Sequence, residues 1–166
     1  DLQEAVDLGC TFFAGEAEGG RMDDILRAAA TRTLKPVYNF VNDLPDLEAA
    51  PTPFLPREIV EHVFDHYGSF DAGRGCPFQC SFCTIINVQG RKSHPRTADD
   101  VERLVKRHWE HGIRHFFITD DNFARNKDWE EIFDRLIQIR ERDKIMLRLI
   151  IQVDTAWHKL PNFIDK

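Results

Sequence analysis

Three of the four cysteines lie close together, in the stretch GRGCPFQCSFC from Gly73 to Cys83. Three residues separate Cys76 from Cys80, and two separate Cys80 from Cys83. Three thiolates on one short loop can bind three irons of a cubane iron-sulfur cluster, because iron prefers sulfur ligands. The fourth iron then keeps an open position, at which a small molecule can bind through an amine and a carboxylate. The spacing therefore favours a reactive cluster over an electron-transfer cluster with four protein ligands.

Two other interpretations of these cysteines stay open from the residues alone. One is a structural zinc site with His94 as the fourth ligand, although tetrahedral zinc sites usually use paired ligands that lie farther apart. The other is a ferredoxin-type cluster, which needs a fourth cysteine near the loop. The remaining cysteine, Cys10, is predicted to lie in a core strand, where a cysteine behaves as a small apolar residue.

Polar residues also follow two apolar segments farther along the chain. Asp120, Asp121 and Asn122 come after the segment RHFFIT, and Asp154 and Thr155 come after MLRLIIQV. Ligands of parallel α/β sheets and barrels bind beyond the carboxyl ends of the strands. We therefore expect these residues and the cysteine loop to share one edge of a sheet. For the two adjacent aspartates, a role in the site and a structural role are both open.

Alternating strand and helix patterns would place these groups. A short strand is predicted to end at Gly73, and RHFFIT and MLRLIIQV predict two more strands, the last one apolar enough to be buried. The segment TADDVERLVKRHWEHG predicts a helix with Thr97 as its N-cap and Gly112 at its end, and DWEEIFDRLIQIRERD predicts a second helix. Three successive strand-helix units indicate a parallel α/β sheet. The first helix has an apolar stripe, formed by Val101, Leu104, Val105 and Trp109.

The first 68 residues have a different pattern. An apolar run from Leu8 to Ala14 predicts a strand, a Gly-rich acidic turn follows it, and MDDILRAAATR has helical spacing. Glu16 and Glu18 are expected to be surface residues of that turn unless they meet the edge that carries the cysteines. Residues 35–68 contain five prolines, which leave little regular structure, so we interpret this segment as an ordered connector.

The composition limits the class of protein. A hydrophobic content of 42% and a charged content of 30% are typical of a soluble globular protein, and no apolar run reaches the roughly 20 residues of a membrane span. The net charge of -6 argues against broad affinity for nucleic acid. The sequence shows no secretion signal, so we expect a cytoplasmic protein. It starts at Asp1 without a methionine and ends within LPNFIDK, so we also expect a fragment.

Three basic residues, Arg91, Lys92 and Arg96, follow the cysteine loop. Such residues can meet a phosphate or an acidic substrate, tune the potential of a nearby cluster, or remain solvated without a specific role. The sequence leaves all three roles open, with solvation as the simplest one.

The stretch GRGCPFQCSFC resembles the signature of the radical S-adenosylmethionine (SAM) superfamily, in which an aromatic residue directly precedes the last cysteine. Phe82 has that position here. The resemblance implies that Cys76, Cys80 and Cys83 hold a [4Fe-4S] cluster and that SAM chelates the remaining iron. It also implies reductive cleavage of SAM to a 5'-deoxyadenosyl radical, with a reductase such as flavodoxin or ferredoxin as partner. Phe82 would then lie beside the adenine of SAM.

Members of this superfamily contact the methionine amino group of SAM through a Gly-Gly-Glu-like motif after the second strand. The sequence TDDNF occupies that place, so the resemblance implies SAM contacts for Asp120, Asp121 or Asn122, by position and not by matching letters. The segment TIINVQGRKSHPRTADDV is also similar to radical SAM enzymes that methylthiolate RNA or protein. The choice between methylation or another radical modification and methylthiolation therefore stays open, as does the substrate.

The order of AGEAEG, a helix, a Pro-rich connector and the cysteine motif resembles the subgroup that has a cobalamin-binding domain ahead of the barrel. This implies an α/β protein in three parts. Residues 1–34 would end a Rossmann-like cobalamin-binding domain, residues 35–68 would be a linker, and residues 69–166 would form the first half of a radical SAM (βα) barrel with parallel strands. Cobalamin then joins the cluster and SAM as a cofactor, although the frequent cobalt-ligand motif Asp-x-His-x-x-Gly does not occur.

Overall fold

The computed structural model describes most of the chain, namely residues 2–41, 43–48, 50–51, 55–62, 64–85, 89 and 91–166. The helices there are α1 (Leu2–Asp7), α2 (Arg21–Ala30), α3 (Arg57–Val60), α4 (Ala98–Glu110) and α5 (Trp129–Asp143), and short 3₁₀ turns lie at Phe64–His66, Phe123–Arg125 and Trp157–Lys159. The strands are β1 (Phe12–Ala14), β2 (Val37–Asn39), β3 (Tyr67–Phe70), β4 (Gly73–Arg74), β5 (His94–Pro95), β6 (His115–Ile118) and β7 (Arg148–Ile151). In these described ranges, no helix has both the length and the apolar character needed to cross a membrane.

The central sheet is parallel, with the strand order β3-β6-β7. Tyr67 of β3 lies opposite His115 of β6, which in turn lies opposite Arg148 of β7. Helix α4 precedes β6 and helix α5 joins β6 to β7. These elements confirm the α/β class and the predicted parallel strands. The described residues form an open sheet, so the closed barrel stays a prediction.

The hydrophobic core lies between this sheet and the helices α4 and α5. Val101 and Val105 of the predicted α4 stripe are fully buried, and Leu104 and Trp109 pack against the core as partly buried residues. Complete burial of one aliphatic or aromatic side chain contributes roughly 1.5–3 kcal/mol to folding. The core also takes side chains from β3, β6 and α5, and these are Phe70, Phe116, Ile118, Ile132, Leu136 and Ile139.

Strand β7 is less buried than its apolar sequence predicts. Its side chains alternate, so that Leu149 and Ile151 pack on the core while Arg148 and Ile150 lie on the other face of the sheet. Ile150 is 49% exposed. The prediction that this strand is buried is therefore wrong, because in the described part of the chain the helices cover one face of the sheet.

A second, two-stranded parallel sheet lies near the N-terminus, where β1 pairs with β2. Strand β1 begins later than predicted, because a turn at Leu8 and Gly9 follows α1. Cys10 lies ahead of the strand and is exposed, so its predicted place in the core is wrong. Strand β2 falls inside residues 35–68, so the segment interpreted as a connector contains a strand that pairs with the N-terminal unit.

Helix α4 has the predicted cap. The Thr97 Oγ1 accepts a hydrogen bond from the backbone N–H of Asp100 at 3.2 Å, and this satisfies one of the N–H groups that a helix N-terminus leaves unpaired. Gly112 follows the helix at φ 98°, in the left-handed region that glycine adopts without a side-chain clash. Both ends of the helix that leads into β6 are therefore fixed by local sequence.

We expect Thr97→Ala to lower the free energy of unfolding by about 1 kcal/mol, because the substitution removes the capping oxygen. Thr97→Ser keeps this oxygen and is the matched control. Equilibrium urea unfolding of the three proteins, followed by circular dichroism, measures the difference. Equal stability of the alanine variant and the natural protein would show that the cap contributes nothing.

Candidate functional site

The cysteine loop begins directly after β4, at the carboxyl end of β3. Cys76 and Cys83 are partly buried, Cys80 is exposed, and all three thiols are free. A turn joins the last two, because the backbone N–H of Cys83 donates to the carbonyl oxygen of Cys80 at 3.1 Å. Phe82 is 88% exposed, so its ring is available to a ligand. The loop thus presents three thiols and an aromatic ring at one edge of the sheet.

The donor set of this loop fits an iron-sulfur cluster. Three cysteine thiols are soft ligands, which iron in such clusters prefers, and none of them forms a disulfide. In the arrangement that the structure has for the described residues, no group of three or more His, Cys, Asp or Glu side chains lies close enough together to hold a metal ion.

Two glycines, Gly73 and Gly75, lie where the backbone leading into this loop packs closely against neighbouring atoms. Gly75 has φ +84°, and a Cβ atom there would lie 2.3 Å from the carbonyl oxygen of Lys92. At Gly73, a Cβ atom would lie 2.8 Å from Nδ2 of Asn126. Real Cβ atoms do not approach other heavy atoms so closely, so the backbone contact requires glycine at position 75, whereas a Cβ at position 73 would displace the Asn126 amide.

Asp120 holds the backbone that leads into the cysteine loop. Its Oδ1 accepts hydrogen bonds from the backbone N–H groups of Ala72 at 2.7 Å and Gly73 at 2.9 Å, and its Oδ2 accepts one from Nδ2 of Asn126 at 3.1 Å. The side chain is buried, and this desolvation raises the pKa of Asp120 to about 6 in spite of the three hydrogen bonds. Both carboxylate oxygens of Asp120 are thus occupied by the protein, and a SAM contact for this residue stays a prediction.

Asp121 reaches the loop itself. Its Oδ2 accepts a hydrogen bond from the backbone N–H of Gly75 at 2.9 Å, and its Oδ1 has no partner among the described residues. Burial raises the pKa of Asp121. The residue lines a cavity of about 240 Å³ together with Gly73, Arg74 and Gln89. Asp121 therefore has one carboxylate oxygen directed to the protein and one that a ligand can use.

Asn122 joins the cysteine loop to the end of β7. Its Nδ2 donates to Oδ2 of Asp154 at 3.0 Å and lies 3.9 Å from the sulfur of Cys76. Arg125 binds the same carboxylate with two nitrogens, at 2.7 and 3.0 Å. These contacts lower the pKa of Asp154 to about 2, and the hydrogen bond from Arg125 has the largest effect. Thr155, which was predicted to share this edge, is exposed after β7.

The structure adds residues to this site that the sequence had placed at the surface. Glu16 of the N-terminal turn is buried, and it forms an ion pair with Arg74 at 2.6 Å and a contact with His94 at 3.1 Å. Glu18 forms a second ion pair with Arg74, also at 2.6 Å. The acidic turn thus meets the edge that carries the cysteines, and Glu16 and Glu18 are more than surface residues of that turn. A lone arginine two residues before Cys76 was the signal that could have indicated an acidic partner.

Arg96 has a structural role instead of a place at the substrate. It is 1% exposed, and its guanidinium pairs with Asp71 at 3.1 Å and Asp100 at 3.0 Å. It also donates to the carbonyl oxygen of Leu47 at 2.7 Å, which ties the N-terminal part of the chain to the central sheet. The expectation that Arg96 is solvated or meets a substrate phosphate is therefore wrong, whereas its neighbours Arg91 and Lys92 are exposed.

Comparison with known proteins identifies the family. The family model described as the Radical SAM superfamily matches residues 71–159, which is just over half of the chain and includes the cysteine loop and the ends of β6 and β7. The chain therefore belongs to the radical SAM superfamily, a superfamily of enzymes.

Three similar curated proteins are named for methyl transfer. The chain is 28% identical over 137 residues to a hopanoid C-2 methylase of Rhodopseudomonas palustris, across 81% of this chain and 26% of that protein. It is 39% identical over 88 residues to an uncharacterized methyltransferase of Synechocystis, across 50% and 15% of the two chains. It is 36% identical over 67 residues to the cytidylyl-2-hydroxyethylphosphonate methyltransferase of Streptomyces wedmorensis, across 40% and 12%. The chain thus spans about a quarter or less of each of these relatives.

We expect Gly75→Ala to destabilise the loop strongly, because an L-residue at this φ costs about 1–2 kcal/mol and the clash with Lys92 costs about 1–3 kcal/mol more. Gly9→Ala is a matched control, since Gly9 has φ +81° and open space around its Cβ position. Thermal unfolding and iron content after anaerobic reconstitution compare the two variants. Equal effects of the two substitutions would contradict the close contact at Gly75.

The raised pKa of Asp120 predicts a pH dependence of stability. The folded state binds this proton more tightly than the unfolded state, whose pKa is near 3.8, so the contribution of Asp120 is fully present below pH 4 and is lost as the pH rises through about 6. Between pH 4 and 7 we expect the stability of the natural protein to fall relative to Asp120→Asn by roughly 2–3 kcal/mol. Urea unfolding of both proteins at several pH values measures this, and a constant difference across the range would contradict it.

Proposed function

We propose that the protein is a radical SAM methyltransferase, in which Cys76, Cys80 and Cys83 hold a [4Fe-4S] cluster that binds SAM. The observation that carries the proposal is the position of three free thiols at the edge of a parallel sheet, with Asp121 bound to the base of the same loop. When bound, the cluster supplies one electron that cleaves SAM to methionine and a 5'-deoxyadenosyl radical, and a reductase such as flavodoxin or ferredoxin restores that electron. We expect the enzyme to work in the cytoplasm.

We assign different roles to the residues at and near the cavity that Asp121 lines. Asp121 takes the ammonium group of SAM on Oδ1, because Oδ2 is already occupied by Gly75. Asp120 keeps the backbone ahead of the loop in place, since both its oxygens accept hydrogen bonds from the protein. Asn122 keeps the end of β7 close to Cys76 through Asp154. Phe82 offers an exposed ring on which the adenine can stack.

Methyl transfer is supported by the names of the three relatives, which are a methylase and two methyltransferases. The family match does not favour the zinc-binding module, because it places the cysteines in an enzyme superfamily. His94, the fourth ligand in the zinc interpretation, has its Nε2 within 3.1 Å of Glu16 instead. The relatives' names likewise give no support to methylthiolation.

Cobalamin is part of the proposal as a second cofactor. The parallel pair β1 and β2 with α2 between them is a strand-helix-strand unit, the kind of unit that Rossmann-like domains repeat. Its acidic turn contacts Arg74 of β4, directly ahead of the cysteine loop, which supports a ligand of the N-terminal unit on the side of that loop.

The cysteine substitutions test the proposal. We expect the triple variant Cys76→Ala, Cys80→Ala, Cys83→Ala to lose its iron and sulfide and to form no methionine or 5'-deoxyadenosine from SAM, because it has no thiolates to bind iron. Cys10→Ala, which removes the exposed cysteine outside the loop, is the matched control and should keep both.

Iron and sulfide analysis after anaerobic reconstitution, with chromatography of the SAM products under dithionite, measures both properties. A triple variant that retains its iron would contradict the assignment of the three cysteines as ligands. A natural protein that contains the cluster but leaves SAM intact would contradict the proposed reaction. Zinc without sulfide in the natural protein would indicate a structural zinc site instead of a cluster.

A further inference from the structure

One carboxylate of the N-terminal turn lies at the base of the cysteine loop. The Glu16 side chain is 5% exposed, with Oε2 at 2.6 Å from Nη1 of Arg74 and Oε1 at 3.1 Å from Nε2 of His94. Each oxygen of the carboxylate therefore has its own partner. A charge-assisted hydrogen bond in such a dry position is stronger than one at the surface.

The two partners of Glu16 are the two ends of the loop. Arg74 is the last residue of β4 and His94 the first residue of β5, and the two lie opposite each other in an antiparallel pair. Residues 75–93, which include all three cysteines of the motif, form the connection between them. Because the pair β4 and β5 is only two residues long on each strand, its own hydrogen bonds hold the loop ends weakly.

Arg74 also binds two carboxylates other than that of Glu16. Its Nε donates to Oδ2 of Asp71 at 2.8 Å, and its Nη2 pairs with Glu18 at 2.6 Å. The guanidinium thus meets three carboxylates, two of them from the N-terminal turn. Glu18 touches only Arg74 in this group, whereas Glu16 touches both ends of the loop.

We infer that Glu16 is a positioning residue for the cysteine loop. Its carboxylate binds both ends of residues 75–93 and so limits the positions that Cys76, Cys80 and Cys83 can take, and it makes the geometry of the cysteine site depend on the N-terminal unit. The functional meaning of this contact rests on the proposed function, since it concerns the ligands of the proposed cluster. The contact itself can be tested without a cluster.

Hydrogen exchange of the metal-free protein is the direct test. Glu16→Gln keeps the size of the side chain but removes its charge, and we expect exchange in residues 75–85 to accelerate about tenfold, because the loop base loses charge-assisted hydrogen bonds. Alkylation of Cys76 should accelerate as well relative to Cys10, which serves as an exposed reference in the same molecule. Glu18→Gln is the matched control, and we expect it to change these rates less than threefold, or about 0.6 kcal/mol.

Equal rates in Glu16→Gln and Glu18→Gln would overturn the inference. Acceleration that extends to α4 and α5 would indicate general unfolding, and in that case His94→Phe decides the matter. This second variant keeps a ring but has no N–H group to bind Glu16, so it removes the contact at one end of the loop and leaves the pair of Glu16 with Arg74. We expect faster exchange that is confined to the loop, and unchanged exchange there would overturn the inference.

A spectroscopic measurement on the loaded protein separates this inference from the proposed function. We expect Glu16→Gln to bind iron and sulfide but to show a broader, altered electron paramagnetic resonance spectrum of the reduced cluster, because its ligands are less fixed. An unaltered spectrum with full iron content would contradict a role in placing the ligands. Failure of the natural protein to cleave SAM would instead count against the proposed function, and the exchange data would still hold.

Discussion

The site depends on one buried carboxylate, that of Asp120, which joins the end of β6 to the chain that leaves β3. Its Oδ1 accepts hydrogen bonds from the backbone N–H groups of Ala72 and Gly73, which follow β3 in the chain. Burial of this carboxylate costs free energy, as its raised pKa shows, and the three hydrogen bonds offset that cost only in part. The same hydrogen bonds fix the conformation of the backbone at Ala72 and Gly73, ahead of the cysteines.

Further contacts extend this arrangement along the edge of the sheet. Asp121 accepts a hydrogen bond from the backbone N–H of Gly75, which also donates to Gln89. Asn122 spans from Cys76 to Asp154 at the end of β7. Three consecutive residues after one strand therefore hold the loop base, the loop itself and the neighbouring strand. From the other side, Glu16 and Glu18 bind Arg74. The base of the cysteine loop is thus held by two sets of carboxylates, one that follows β6 and one from the N-terminal turn.

The sequence predicted the features that depend on local pattern. Thr97 caps α4, the stripe of Val101 and Val105 is buried, and the residues after β6 and β7 share one edge, because capping, helical period and strand direction are read from neighbouring residues. The contacts of Glu16 with Arg74 and His94 join residues 58 and 78 positions apart, so no local pattern contained them. The burial of Arg96 was missed for the same reason, since its partners Leu47 and Asp71 are distant in sequence.

Electron paramagnetic resonance of the anaerobically reconstituted and reduced protein, recorded with and without SAM, tests the central claim most directly. If three cysteines leave one iron open for SAM, the spectrum of the [4Fe-4S]⁺ cluster changes when SAM is added, because the ligands of that iron change. A cluster spectrum that is indifferent to saturating SAM would contradict the claim, since it would show that the fourth iron is closed to the substrate.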